Sequence, residues 1–169
     1  AYVGEVLAMP PQRILVVATH THAGPRPHFG PALRTAFGEP EFGERRLAAA
    51  VSYAADQARK RYQSVQVGSA STSFSTYIAN RSPGASAPID DRLRAVRINA
   101  RGQRLLLWSY SAHPTLVSRK SLQADGDYPA RVANNLEEKV GFDQVIFLPG
   151  RTAHATVATE RNPDLLAVA

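Results

Sequence analysis

Hydrophobic residues occur along this chain both as periodic stripes and as short continuous runs, and the two patterns predict different elements. Over residues 44–62 the apolar side chains recur every three or four positions, which predicts an amphipathic helix. Residues 127–140 are predicted to form a second helix, with Asp127 as N-cap, Pro129 in the first turn and Gly141 at the end. Each helix is thus expected to carry one apolar stripe.

The short runs rich in Val, Ile and Leu predict strands. They cover residues 13–18, 64–70, 92–99, 103–112 and 143–148. The first run is interpreted as a buried strand, and a turn at Arg101-Gly102 is expected to join the third and fourth. Because helical and strand patterns alternate, the sequence predicts an α/β fold, a layered domain in which helices flank a mixed β-sheet.

Length and composition agree with a globular domain and exclude several classes of protein. The chain has 169 residues, of which 44% are hydrophobic and 20% are charged, and it contains no cysteine. Disulfide scaffolds, thiolate metal sites and cysteine nucleophiles are therefore excluded, and the aliphatic runs are far too short for a membrane span. The net charge is +6, but the arginines are scattered and are not interleaved with aromatic residues, so nucleic acid is not a predicted partner.

Most of the histidines lie close to the carboxyl ends of predicted strands, the edge at which α/β sheets bind ligands. They are His20, His22, His113 and His154. Because residues i and i+2 of an extended chain face the same side, His20 and His22 can offer two imidazoles to one zinc ion. Ordinary hydrogen-bonding roles for the histidines stay open, and His28, in the Pro-rich and Gly-rich loop 23–43, is interpreted as a surface residue.

Two further segments carry side chains that can take part in chemistry. Arg81, in the loop Asn80-Arg81-Ser82-Pro83, can bind an anionic or carbonyl oxygen through its planar guanidinium, or can be an exposed turn residue. The segment Asp125-Gly126-Asp127-Tyr128 can supply carboxylates, although the start of the second helix is the favoured interpretation. The sequence has no nucleophile elbow, phosphate-binding loop or dinucleotide fingerprint.

Taken in order, five segments resemble the motifs of the neutral/alkaline (non-lysosomal) ceramidase family, across nearly all of residues 10–157. The first, Ala18-Thr19-His20-Thr21-His22-Ala23-Gly24-Pro25, resembles the family's His-Thr-His-Ser-Gly-Pro signature. The other four segments are Asn80-Arg81-Ser82-Pro83, Ala112-His113-Pro114-Thr115, Asp125-Gly126-Asp127-Tyr128-Pro129 and Phe147-Leu148-Pro149-Gly150.

The resemblance implies a zinc-dependent amidase that cleaves the N-acyl bond of ceramide to give sphingosine and a fatty acid. In this family the first histidine of the signature and the histidine of the second motif bind Zn²⁺, and they correspond to His20 and His113. The second signature histidine and the loop arginine hold the substrate or stabilise the reacting group, and they correspond to His22 and Arg81. The implied partners are a lipid amide substrate and a membrane surface, and the implied location is secreted or periplasmic.

The sequence departs from the family at the nucleophile loop. The family has Gly-Asp-x-Ser-Pro there, whereas this chain has Ala153-His154-Ala155-Thr156-Val157, which puts Thr156 in the place of the serine. Threonine can act as a nucleophile, but its methyl group crowds the attack. The family's remaining zinc ligands, a Glu and a Tyr, have no counterpart in residues 1–169. These residues are therefore expected to be an internal part of one catalytic domain, cut at both ends, in which a third ligand can come from His22 or His154.

Two alternatives to a ceramidase stay open. The unusual nucleophile loop is also compatible with an inactive relative, or with one that acts on a different amide or ester. The same loop, together with the positive net charge, is compatible with a non-catalytic module that binds anionic lipid surfaces.

Overall fold

The computed structural model describes residues 8–24, 41–82, 86–118 and 120–159. The chain divides into two compact units, residues 1–16 with 25–63 and residues 17–24 with 64–169. Most of the predicted loop 23–43, with His28, lies outside the described residues.

The first unit contains one long helix, which confirms the helix predicted from the apolar stripe. Helix α1 spans Glu41–Arg59 and begins and ends slightly before the predicted residues 44–62. Near its end Lys60 and Arg59 pair with Asp56, and both cations lower the pKa of that carboxyl. Within the described ranges, no helix has the length and apolar character that crossing a membrane requires.

The strand predicted for residues 13–18 is wrong. A 3₁₀ turn at Pro11–Arg13 is followed by backbone without regular structure over 14–20. Leu15 and Val16 are 73% and 81% exposed. A strand needs a neighbour that completes its hydrogen-bonding ladder, and none of the strands that the structure describes pairs with this segment. Apolar composition was therefore not enough to define a strand here.

The second unit is built on two β-sheets. Its strands are β1 (Gln66–Ser73), β2 (Ile78–Asn80), β3 (Arg92–Ala100), β4 (Gln103–Tyr110), β5 (Gln144–Pro149) and β6 (Ala155–Val157). The larger sheet has the order β1-β3-β4-β5, with β4 and β5 parallel and the other neighbours antiparallel. Strands β2 and β6 form a small antiparallel sheet. The mixed sheet confirms the predicted α/β fold, and every predicted strand except 13–18 is present.

The turn between β3 and β4 has the conformation that its sequence predicts. Arg101 and Gly102 both have positive φ values, 44° and 83°, which is the geometry of a two-residue hairpin turn. Ala100 and Gln103 pair across it. The register of these two strands is therefore set locally.

A helix crosses from β4 to β5 and completes the fold. Helix α2 spans Asp127–Asn135, continues as a π-helical turn over Leu136–Val140 and ends at Gly141, whose φ of 78° is typical of a helix-ending glycine. The predicted N-cap is wrong. Gly126 is the N-cap and Asp127 is the first helical residue. The Asp127 carboxylate accepts one hydrogen bond from Tyr128 N–H in the first turn and another from Val117 N–H in a distant loop, each at 2.7 Å.

The core lies where α2 packs on the larger sheet. Trp108 and Phe147, from neighbouring parallel strands, are 6% and 5% exposed, and their ring centroids are 4.6 Å apart. Tyr128 of α2 packs edge-on against Phe147 at 5.9 Å. The small sheet joins the same cluster through Ile78 and Val157. Burying side chains of this size contributes about 1.5–3 kcal/mol each, so this cluster holds the helix and both sheets together.

The chain leaves β5 at a position where only glycine fits. A Cβ atom at Gly150 would collide with the Ser111 hydroxyl and would lie 3.3 Å from the Ser111 Cα. Hydrogen bonds fix this approach, since Gly150 N–H donates to the Tyr110 carbonyl and Arg151 N–H donates to the Ser111 hydroxyl, each at 3.0 Å. The loop after β5 is therefore held against the segment that follows β4.

Gly150→Ala is expected to lower the free energy of unfolding by about 1–3 kcal/mol, because the added methyl group overpacks this contact. Gly68→Ala is the matched control: a Cβ at Gly68 has no neighbour within 4 Å, so the free energy of unfolding should change little. Chemical denaturation measures the difference. Equal stabilities for the two variants would contradict the close contact at Gly150.

Two core tyrosines make the fold sensitive to alkaline pH. Tyr110 and Tyr128 each donate a hydrogen bond of 2.6 Å to a backbone carbonyl. Burial raises the pKa of Tyr110 to about 12, and it raises the pKa of Tyr128 as well. An unfolded tyrosine titrates near pH 10. Between about pH 10 and 12 the unfolded chain therefore releases protons that the folded chain retains, so the free energy of unfolding falls as the pH rises.

Tyr110→Phe is expected to weaken this alkaline loss of stability, because phenylalanine has no proton to release. Tyr62→Phe, at a side chain 66% exposed, is expected to leave the pH dependence unchanged. Denaturation curves recorded between about pH 8 and 11 give the slope for each protein. Identical slopes in the wild type and both variants would show that the Tyr110 hydroxyl is not protected by folding.

Candidate metal centre

Three histidine side chains from two separate segments lie close together in the second unit. His20 and His22 lie in the segment 17–24, and His113 follows β4. The ring centroid of His113 lies 4.4 Å from that of His20 and 5.1 Å from that of His22. One ring nitrogen from each residue lies within 4.8 Å of the others, a spacing that can hold a metal ion. In the part of the chain that the structure describes, this is the one group of His, Asp or Glu side chains with such spacing.

His113 is held with its Nε2 facing the other two imidazoles. The residue is 5% exposed, and its backbone N–H donates to the Ala155 carbonyl of β6 at 3.2 Å. Its Nδ1 lies 3.2 Å from the Thr152 carbonyl. Because a carbonyl only accepts, Nδ1 carries the proton and Nε2 keeps its lone pair. Burial lowers the pKa of His113, and so does the charge of Arg81, which favours the neutral imidazole that metals bind.

The second signature histidine also approaches His113 closely. Nε2 of His22 lies 3.1 Å from Nε2 of His113. Two nitrogens on one tetrahedral zinc ion lie roughly 3 to 3.5 Å apart, given Zn–N bonds near 2.0–2.1 Å. His154, the alternative third ligand, lies in the exposed 3₁₀ turn Thr152–His154, outside this group. Of the two candidates for a third ligand, the structure brings His22 to the other imidazoles.

The backbone of the signature is not extended as predicted, although its two imidazoles do face the same group. His20 has a φ of 65°, in the left-handed region that residues other than glycine seldom adopt. Hydrogen bonds to a distant turn hold the segment instead of a strand partner. The Thr21 hydroxyl donates to the Asp125 carbonyl at 2.6 Å, and Asp125 N–H donates to the Ala23 carbonyl at 2.8 Å.

The carboxylates of residues 125–128, which are candidates for chemistry in the sequence, are engaged in structural contacts. The Asp127 carboxylate is fully buried and accepts a hydrogen bond from Val117 N–H at 2.7 Å. The Asp125 carboxylate accepts a hydrogen bond from Asp127 N–H and pairs with Arg131 at 3.1 Å, and both partners lower its pKa. This stretch therefore supports the site and does not supply a group to it.

Tyr128 supports His113 in a way that the sequence analysis missed. Its hydroxyl donates to the Ala112 carbonyl at 2.6 Å, one residue before His113, while its ring packs in the core. The sequence holds no local signal for this contact, because the acceptor is a main-chain atom in another part of the chain.

The small sheet places the loop of Arg81 and the segment of Thr156 beside His113. In β6, Thr156 pairs with Ala79 of β2 and also forms a parallel bridge with His113. Arg81 directly follows β2, and its N–H donates to the His154 carbonyl at 2.8 Å. Three of the predicted segments thus lie on adjacent stretches of backbone. The roles of Arg81, Thr156 and the histidines in a reaction stay predictions.

The fold and the three-histidine group define an α/β protein with a candidate metal centre at the end of a central strand. No protein-family model matches the sequence, and no curated protein sequence matches it. Solved structures do match the fold, and two of them are ceramidases. Neutral ceramidase from Pseudomonas aeruginosa gives a TM-score of 0.65 at 16% identity, over 92% of this chain and 28% of that one. A ceramidase complexed with C2 gives a TM-score of 0.64 at 16% identity, over 95% and 29%.

These comparisons confirm, at the level of the fold, the resemblance to neutral ceramidases that the sequence motifs predict. The chain spans less than a third of the length of either ceramidase. At this identity the likeness concerns the fold alone, so the chemistry of the site has to be argued from its own residues.

Proposed function

We propose that this chain provides part of the active site of a zinc-dependent amide hydrolase that cleaves the N-acyl bond of ceramide-like lipids. The observation that carries the proposal is the meeting of His20, His22 and His113 within a fold shared with neutral ceramidases. The adjacent backbone of Arg81 and Thr156 adds support, because the residues that the resemblance assigns to substrate and nucleophile lie beside the same group.

The donor set supports zinc as the metal. Three imidazoles and no carboxylate form the group, and zinc prefers nitrogen and sulfur ligands, whereas calcium and magnesium prefer oxygen. Three protein ligands with a fourth position left open are typical of catalytic zinc. The resemblance assigns His20 and His113 as ligands. The 3.1 Å between the Nε2 atoms of His22 and His113 supports His22 as the third.

An apolar cavity supports a lipid as the substrate. It has a volume of about 500 Å³, within the usual range for ligand sites. Its lining includes Ala112 and Val157, the sequence neighbours of His113 and Thr156, and it is otherwise aliphatic and aromatic. A hydrocarbon chain is the kind of group that such a lining binds.

The reaction is the addition of water across an amide C–N bond, which gives a sphingoid base and a fatty acid. A bound zinc ion would polarise the amide carbonyl and lower the pKa of a water molecule. The guanidinium of Arg81 would hold the carbonyl oxygen as negative charge develops on it. The Thr156 hydroxyl either attacks the carbonyl carbon, releasing the amine before water frees the acid, or orients the attacking water.

The chain is expected to bind a single Zn²⁺ ion, or Co²⁺ as a coloured substitute. His20→Ala, His22→Ala and His113→Ala should each weaken binding at least roughly tenfold, because each removes a ligand. His154→Ala, which removes an imidazole outside the group, is the matched control and should bind like the wild type. Titration with Co²⁺, followed by competition with Zn²⁺, measures these affinities. No binding by the wild type, or an equal loss in the control, would contradict the site.

Hydrolysis of N-acylsphingosine is expected from the zinc-loaded protein and is expected to be lost on chelation. Thr156→Ser should retain activity because it keeps the hydroxyl and removes the crowding methyl group, whereas Thr156→Ala should lose at least roughly a hundredfold if the hydroxyl attacks. Release of the fatty acid measures the rate. Full activity in Thr156→Ala would assign the attack to water. Zinc binding without hydrolysis would favour a relative with a different substrate or an inactive one.

A further inference from the structure

Thr21, the residue between the two signature histidines, is fastened to a turn far away in the sequence. Its hydroxyl donates to the Asp125 carbonyl at 2.6 Å across a separation of 104 residues. The same hydroxyl accepts a hydrogen bond from Ala23 N–H at 3.3 Å, and the Ala23 carbonyl accepts one from Asp125 N–H at 2.8 Å. These three bonds, named here the Thr21 clasp, close a ring between the two segments.

The segment 17–24 belongs to no helix or strand. Within it, Ala23 is the residue that is buried, and the apolar Val17 at its start is 44% exposed. His20 also adopts a left-handed backbone, which a side chain with a Cβ atom disfavours. A conformation of this kind persists only where surrounding contacts hold it. The Thr21 clasp supplies such contacts, in addition to the 3.1 Å contact between Nε2 of His22 and Nε2 of His113.

The far side of the clasp is joined to helix α2. The Asp125 carboxylate accepts a hydrogen bond from Asp127 N–H and pairs with Arg131 of α2. Asp127 is fully buried at the start of the same helix, and that helix packs on the core. The Thr21 clasp therefore connects the segment of the two imidazoles to helix α2 and, through it, to the core.

We propose that the Thr21 hydroxyl is a positioning group for the metal centre, which sets where the imidazoles of His20 and His22 stand relative to His113. The inference rests on the proposed metal function. Residues that orient metal ligands without touching the metal strengthen binding, because the ligands then have less conformational freedom to lose when the ion binds. Because the acceptor is a main-chain carbonyl, the hydroxyl of Thr21 is the part of this contact that a substitution can remove.

The test compares Thr21→Val, which keeps the shape of the side chain and loses the hydroxyl, with Thr21→Ser, which keeps the hydroxyl and loses the methyl group. Thr21→Val is expected to bind Co²⁺ and Zn²⁺ roughly tenfold more weakly and to change the visible absorption of bound Co²⁺. Thr21→Ser is expected to match the wild type in both. Thermal unfolding of the metal-free proteins, recorded in parallel, separates positioning from a general loss of stability.

Metal affinity and a Co²⁺ spectrum in Thr21→Val that equal those of the wild type would overturn the inference while leaving the proposed function intact. A Thr21→Ser variant as weak as Thr21→Val would also overturn it, because the hydroxyl would not be the cause. If Thr21→Val does not fold, Thr21→Ala against Thr21→Ser makes the same comparison. A wild-type chain that binds neither ion would overturn the proposed metal site, and this inference with it.

Discussion

The backbone hydrogen bond from His113 to Ala155 is the interaction on which the arrangement of the site depends. It joins the end of β4, in the larger sheet, to β6, in the small sheet. Because β6 also pairs with β2, the same strand aligns the segments of His113, Thr156 and Arg81. All of these are main-chain contacts and tolerate a change of side chain. The framework can therefore be kept while the nucleophile loop differs from the ceramidase pattern.

The parts of the fold that local chemistry determines could be predicted from the sequence. The turn at Arg101-Gly102 and the helix end at Gly141 both follow from a residue that accepts positive φ, and both are observed. Of the three wrong predictions, which include the extended backbone of the signature, two concern distant partners. The strand at 13–18 has no described strand to pair with, and the carboxylate of Asp127 accepts a hydrogen bond from Val117 N–H as well as one from Tyr128 N–H of its own helix.

The site shows the same division between local and distant determinants. The strand pattern before His113 and the resemblance to the ceramidase family together predicted that His113 would lie near His20, although the strand expected before His20 is absent from the described structure. The strands β2 and β6 have three residues each, too few for a periodic pattern, so the small sheet that brings Arg81 and Thr156 alongside could not be found from spacing. The hydrogen bond from Thr21 to the Asp125 carbonyl could not be predicted for another reason. Every residue has a main-chain carbonyl, so the sequence does not indicate which one accepts a hydrogen bond.

The charge around the three histidines determines what the group can stabilise. Neutral imidazoles do not offset the charge of a divalent cation, and in the described residues no carboxylate belongs to the group. The Asp125 carboxylate is already paired with Arg131. The positive charge of Arg81 also acts on His113. A divalent cation bound there, as proposed, would join Arg81 as a second cationic group without a compensating anion, and such a pair stabilises an oxyanion more than a neutral carbonyl. Under the proposed function, this composition would favour a reaction in which negative charge develops on oxygen.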